Sequence, residues 1–235
     1  MQRFIVKKFN GHASGRRFMS AAAFSDNDAV VVSIARTPVG SIGGKLSSLT
    51  APHLASQAIK GAVERASVNS SQFDNSCIEE VVLGNVVSAN IGQAPGRQAV
   101  IYAGLPISTP VTDVNKVCAS GMKAIMYSAM SITSGYRHCM LAGGMESMSN
   151  IPYYMPKNTR SPGLRLGHAT LTDGLIQDGL WDIYNNAHMG TCGDICGRSY
   201  EITREQQDEY AVNSYKRAAK AWDTPVCLFA LYMSS

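Results

Sequence analysis

Acidic side chains are missing from the N-terminus. No Asp or Glu precedes Asp26, while Arg3, Lys7, Lys8, Arg16 and Arg17 all fall there. Past residue 20 the chain carries 16 basic and 17 acidic side chains, so the overall charge of +4 belongs to the leader alone. A body without basic excess argues against a nucleic-acid partner. Long apolar runs are lacking too. None approaches the roughly 20 residues a spanning helix needs, which argues against a membrane partner. No continuous apolar stretch follows the basic residues, which argues against a secretory signal. The six cysteines (Cys77, Cys118, Cys139, Cys192, Cys196 and Cys227) lack the pattern of a small disulfide scaffold. What is present is a chain of 235 residues, 45% hydrophobic and 16% charged. That is enough for one or two globular domains with an ample core.

Residues 1–20 are basic and acid-free, and carry Phe4, Ile5, Phe9 and Phe18. This composition reads as a mitochondrial transit peptide, removed near Phe18 to Ser20. A basic tail is the plainer reading. Beyond it, Ala29 to Ile34 reads as a buried strand and residues 53–65 as a helix through Leu54, Ile59 and Val63. Val81-Val82-Leu83 is a second strand, with a turn at Gly84-Asn85. Pro95 starts a short helix that ends near Gly104, and residues 111–117 form a third strand. A helix from Ala119 to Thr133 places Met122, Ile125, Met126, Ala129 and Met130 on one face, read as core, and Gly135 stops it. Residues 138–142 are a fourth strand, ending at Gly143-Gly144. Alternating strands and helices indicate an α/β domain with a mainly parallel sheet. After Gly144 the pattern turns to loops with Pro152, Pro156 and Pro162, before a helix over Arg204–Trp222 whose Thr203 and Gln206 form a capping box.

Cys118 stands where the third strand passes into the next helix. A sulfur there lies near the free N–H groups of a helix's first turn, which favour negative charge. The thiolate is the nucleophilic form, so the position suits an acyl-accepting nucleophile. A small buried thiol would fit the position equally well. Cys192 and Cys196, four apart, share a helix face. With only His188 nearby they read as packing thiols rather than metal ligands.

The words around Cys118 add a resemblance. Asn115-Lys116-Val117-Cys118-Ala119-Ser120-Gly121-Met122-Lys123-Ala124 resembles the nucleophile signature of the thiolases. Ala142-Gly143-Gly144-Met145-Glu146-Ser147-Met148-Ser149-Asn150 resembles a second phrase of that family. Further phrases stand in family order: Ala35-Arg36-Thr37-Pro38 with Gly40, Gly92-Gln93-Ala94-Pro95 with Arg97-Gln98-Ala99, Gly104-Leu105-Pro106, and His188-Met189-Gly190. The resemblance runs from Ala29 to Asp223 and is strongest to the short-chain mitochondrial type.

It implies a thiolase-like α/β fold: a transit peptide at 1–20, an N-terminal α/β core half at 21–144, a loop domain at 145–223, and a divergent tail at 224–235. The family's second core half is missing. It implies that Cys118 takes an acetyl group from acetyl-CoA as a thioester. A second acetyl-CoA then yields acetoacetyl-CoA and CoA, and the reverse is thiolysis. Leu180, His188 and Met189 would line the acyl and pantetheine end of the pocket. Tyr215 would contact CoA and a potassium ion, although an amphipathic-helix residue is the plainer reading. No other cofactor is implied, since the CoA thioester is substrate. Arg36, Arg97 and Glu146 read as structural. The family's activating histidine, its second cysteine and its Asn-Glu-Ala-Phe segment have no counterpart among these 235 residues.

The resemblance also implies location in the mitochondrial matrix, a role in ketone-body and isoleucine metabolism, and a homo-oligomer, dimer or tetramer, in full-length form. The last twelve residues match nothing expected to follow Asp223, which reads as an early stop. Competing readings are a non-catalytic shortened subunit that pairs with full-length thiolase, a medium-chain 3-ketoacyl-CoA thiolase, and a product that does not fold.

Overall fold

The β-branched run Ala29–Ala35 is a strand, and it leads into a sheet with helices on both faces. The computed structural model describes residues 3–8, 28–69, 73–155, 166 and 168–223. The tail expected at 224–235, with Cys227, lies outside these residues. So do most of residues 1–20, expected as a transit peptide, and the stretch 156–165 that holds Pro156 and Pro162.

In chain order the first elements are β1 (Arg3–Lys8), β2 (Ala29–Ala35), α1 (Ala51–Asn69), β3 (Glu80–Gly84) and α2 (Pro95–Tyr102). Then come β4 (Val111–Val114), α3 (Ser120–Thr133) and β5 (Cys139–Gly144). The five strands form one sheet in the order β2-β1-β5-β3-β4. β3 runs parallel to β4 and to β5, with Val82 opposite both Thr112 and Ala142. β1 is antiparallel to β2 and to β5. The chain divides into two units. The first takes the described residues up to Val86 and Ile91–Ser147; the second takes Val87–Asn90 and those from Met148 on.

The side-chain alternation of the strands sorts the first unit's core into two layers. Val81 and Leu83 of β3 and Leu141 of β5 pack with Ala55, Ile59 and Ala62 of α1 and Ala99 and Val100 of α2. Val82, Met140 and Ala142 point the other way, onto Ala124 and Ile132 of α3. Each large side chain so buried contributes roughly 1.5–3 kcal/mol.

The sequence expectation for α3 fails in one respect. Its buried residues are Ser120, Gly121, Ala124, Ser128 and Ile132. Met122, Met126 and Met130 are 67%, 48% and 59% exposed. The physical reason is close approach. A Cβ added to Gly84 would lie 2.7 Å from Ser120, so only small residues fit where α3 meets β3. Gly84 is thus the last residue of a strand rather than part of a turn. β4 also ends at Val114, not 117.

The second unit holds β6 (Tyr153–Tyr154), β7 (Thr172–Asp173), β8 (Trp181–Asp182), β9 (Ala187–His188), α4 (Met189–Ser199) and α5 (Arg204–Trp222). β6 pairs with β7, and β8 pairs with β9, as two-stranded ladders. α5 starts and ends where its sequence signals put it. Thr203 N–H donates to Gln206 Oε1 at 2.8 Å, and Gln206 N–H donates to Thr203 Oγ1 at 3.3 Å. No helix among the described residues is long and apolar enough to cross a membrane.

Candidate active site

Four hydrogen bonds shape the passage from β4 into α3. Val117 N–H donates to Asn115 Oδ1 at 2.9 Å, an Asx turn. Ala119 N–H reaches Lys116 O at 3.1 Å. The Ser120 hydroxyl accepts from Lys116 N–H at 2.9 Å and donates to Val117 O at 2.5 Å. Ser120 is 1% exposed, so this hydroxyl ties the turn from inside. Val117 has φ +48°, the left-handed region that β-branched residues avoid. Such a backbone costs about 1–3 kcal/mol and persists only where its surroundings over-determine it.

Held between Val117 and Ala119, Cys118 is exposed. Ala119 caps α3 with no side-chain hydrogen bond. The first-turn N–H groups thus carry no side-chain cap, and a helix start left so favours negative charge beside it. Sequence reading put Ser120 inside the signature phrase and Gly84 in a turn, and neither drew a site role. Both are small residues in a patterned context, and only their mutual contact marks them.

The neighbouring phrases brace this turn. Glu146 Oε1 accepts from Asn85 Nδ2 at 2.7 Å, and Oε2 accepts from Val86 N–H at 3.1 Å. Met145 N–H donates to Gly84 O at 2.9 Å, so the ends of β5 and β3 are joined. Arg97 donates to Thr109 O at 2.5 Å and to Ile107 O, pinning the approach to β4. Gly96 N–H donates to Asp113 Oδ2 at 3.0 Å. Partial desolvation pushes the Asp113 carboxyl up, against this hydrogen bond. Arg97 and Glu146 therefore do structural work.

The other expected pocket residues belong to the second unit. Leu180 ends a π-helical turn, Ile176–Leu180, immediately before β8. Trp181 pairs with His188, which sets Leu180 and Met189 at the same end of the hairpin. His188 Nδ1 accepts from Gly190 N–H at 2.9 Å, so His188 caps α4. In the neutral ring the proton then sits on Nε2. Met189 opens α4 and is 42% exposed. The hairpin thus gathers Leu180, His188 and Met189, while Tyr215 lies midway along α5 with 80% exposure. Cys118 belongs to the first unit.

Cys192 and Cys196 do share α4, half-buried and exposed respectively, and Cys139 is buried in β5. Among the described residues no group of three His, Cys, Asp or Glu could hold a metal ion. For potassium, Tyr215 offers a single phenol oxygen on an exposed helix. That one oxygen does not make a cation site.

Residues 29–226 match the thiolase N-terminal domain. The chain belongs to the thiolase family. It is 50% identical over 206 residues to acetyl-CoA acetyltransferase 1 of Arabidopsis thaliana, covering 88% of this chain and 48% of that protein. It is 49% identical over 197 residues to the mitochondrial acetyl-CoA acetyltransferase of Bos taurus, covering 84% and 44%. The structure of the Acat5 thiolase of Ascaris suum in complex with coenzyme A superposes with a TM-score of 0.77 at 40% identity, covering 83% of this chain and 49% of that one. The chain thus spans about half the length of the thiolases it matches, and the α/β fold expected from the motifs is the fold found.

Proposed function

We propose that this thiolase chain carries the acyl-accepting nucleophile of an acetyl-CoA C-acetyltransferase, and that the nucleophile is Cys118. The observation that supports it is the exposed thiol on a braced, strained turn at the uncapped start of α3. The Cys118 thiolate attacks the acetyl carbonyl of acetyl-CoA, a C–S bond forms, and CoA leaves as its thiolate. The α-carbanion of a second acetyl-CoA attacks that thioester, the Cys118 thiolate leaves, and acetoacetyl-CoA forms. Thiolysis is the reverse. N–H groups of the Cys118 turn would steady the oxyanion. The base that accepts the α-proton has no counterpart among the chain's motifs.

Leu180, His188 and Met189 serve as pocket lining for the acyl and pantetheine end, and Tyr215 as a CoA contact. Toward a potassium ion Tyr215 supplies one oxygen, and the other ligands must come from elsewhere. The full-length form is placed in the mitochondrial matrix, a reading that the mitochondrial relatives and the basic N-terminal residues support, and it is a homo-oligomer by the family resemblance alone.

Incubating the chain with labelled acetyl-CoA tests the nucleophile. One hydroxylamine-labile acetyl group is expected on the tryptic peptide holding Cys118, and none in Cys118→Ala. Equal labelling of the two proteins would overturn the assignment.

A second reading is a non-catalytic subunit that pairs with full-length thiolase. Co-expression with a tagged full-length subunit checks it, and failure to co-purify would reject it.

A further inference from the structure

The hairpin that gathers Leu180, His188 and Met189 is joined to another ladder of the second unit by one short turn. Tyr153 and Tyr154 of β6 pair with Asp173 and Thr172 of β7. Only Gly174 and Leu175 separate β7 from the π-helical turn Ile176–Leu180, and Trp181 of β8 follows that turn directly. A π turn carries one residue more than an α turn, and one residue is about 100° of helical rotation. The form of this turn therefore fixes the heading of Leu180 and of β8 behind it. Through the pairing of Trp181 with His188 it fixes β9 and Met189 as well.

The turn has little of its own to hold it. None of its residues is buried, and Leu175 caps it without a side-chain hydrogen bond. Turns of the i→i+5 kind are rare and are frequent at functional sites. Two bonds fix the entry to this one. Leu175 N–H donates to Asp173 Oδ1 at 2.8 Å, and Gly174 N–H donates to Pro152 O at 3.3 Å. A third reaches inside the turn: the Tyr154 hydroxyl donates to Asp178 Oδ2 at 2.5 Å. A hydroxyl bound to a carboxylate at this length is charge-assisted, and about twice as strong as a neutral hydrogen bond. Gly174 makes the reach possible. A Cβ there would stand 2.6 Å from Tyr154 Cζ and 2.6 Å from Pro152 O, so a larger residue would push the ring off Asp178. Burial, and then the bond itself, push the Tyr154 hydroxyl up to about 12, so it stays a donor at neutral pH.

We propose that Tyr154 is a positioning residue for the acyl end of the pocket: its hydroxyl clamps Asp178, holds the 176–180 turn in its π form, and so sets where Leu180, His188 and Met189 stand. The proposal rests on the reading of those three residues as pocket lining. Tyr154 acts on them only through Asp178 and the turn. Without the clamp the turn closes toward the α form, which carries Leu180 off its heading and loosens the fit to an acyl thioester.

Trp181, the residue after the turn, reports its form. In a full chain carrying Trp222→Phe it is the sole tryptophan. Tyr154→Phe and Asp178→Ala should each shift its emission, and the double variant should shift it no further, because both break one bond. Asp178→Asn keeps an acceptor for the phenol and should keep the original spectrum. Amide exchange at Leu141, in the first unit, should not move in any of them. An unshifted spectrum in Tyr154→Phe, additive shifts, or an Asn variant as altered as the Ala one would sink the idea. If Tyr154→Phe unfolds the second unit, the two Asp178 variants still decide. Calorimetry with acetyl-CoA, on a Cys118→Ala chain that cannot be acetylated there, then reads the pocket. Adding Tyr154→Phe should weaken binding by roughly threefold to tenfold, the worth of one hydrogen bond. Equal affinity with and without Tyr154→Phe would overturn the proposal alone. No binding by the Cys118→Ala chain itself would overturn the pocket reading beneath it, and the proposal with it.

Discussion

The two units of this chain are held by different physics. In the first, a sheet is buried on both faces and α1 alone submerges Ala51, Ala55, Ile59, Ala62 and Ala66. In the second, neither α4 nor α5 has a buried residue. α5 even exposes Tyr210, Val212, Tyr215 and Trp222. Its order rests on local devices: the Thr203 capping box and an Arg204–Asp208 pair one turn apart at 2.9 Å. Such surface pairs are worth little, about 0.3–0.5 kcal/mol. Tertiary burial thus stabilises the Cys118 turn, whereas the helix bearing Tyr215 depends on its own sequence. A side chain that must be held in one geometry belongs on the first kind of support.

The largest expected break comes from the core. Leu141→Ala should cost about 2–5 kcal/mol in a denaturant melt. Val212→Ala on α5 should stay within about 0.5 kcal/mol. Similar losses at the two positions would erase the contrast between the units.

Gly84→Ala comes next. Its Cβ meets backbone and Cβ atoms of Ser120 at 2.7 Å, which cannot swing away. A loss of about 1–3 kcal/mol is expected. The alkylation rate of Cys118 should change with it, because Ser120 ties the turn. An unaltered rate would uncouple Gly84 from the site.

Thr203→Ala should cost α5 about 1 kcal/mol. The loss should appear as faster amide exchange in the first turn of α5, with Leu141 unaffected.

A pH titration probes the second unit. Burial, and then the 2.5 Å hydrogen bond to Asp178, push the Tyr154 hydroxyl up to about 12 from its ordinary 10. The folded state holds this proton more tightly than the unfolded one. The contribution is therefore complete below about pH 10 and lost as pH rises toward 12. Tyr154→Phe should flatten stability across that window, and an unchanged slope would assign it to other groups.

The smallest effect is a gain. Ser128 Oγ is buried in α3 without a hydrogen-bond partner. Ser128→Ala should leave the first unit equally stable or roughly 0.5 kcal/mol more stable, since an unmade buried hydrogen bond is a cost.

Much of this was legible in the residues. Period-2 and period-3.6 patterns located β2, β3, β5, α1, α2 and α5, and Gly135 stops α3 with φ +76°. The exposed Cys118 at the strand–helix junction followed from motif and position together. Other features were hidden for physical reasons. α4 carries Gly190, Gly193 and Gly197, which weaken any helix signal, and its cap is an imidazole rather than a hydroxyl or carboxylate. The ladders β6–β7 and β8–β9 are two residues long, too short to show a period.

By itself the sequence determined the local elements, their caps and the wording around Cys118, because these depend on neighbours a few residues apart. Only the tertiary structure decided which face of α3 is buried, why Gly84 and Ser120 matter, and that β1 stands between β2 and β5 in the sheet. Each of these depends on a contact between residues distant in the chain, and the spacing of one segment does not record what packs against it.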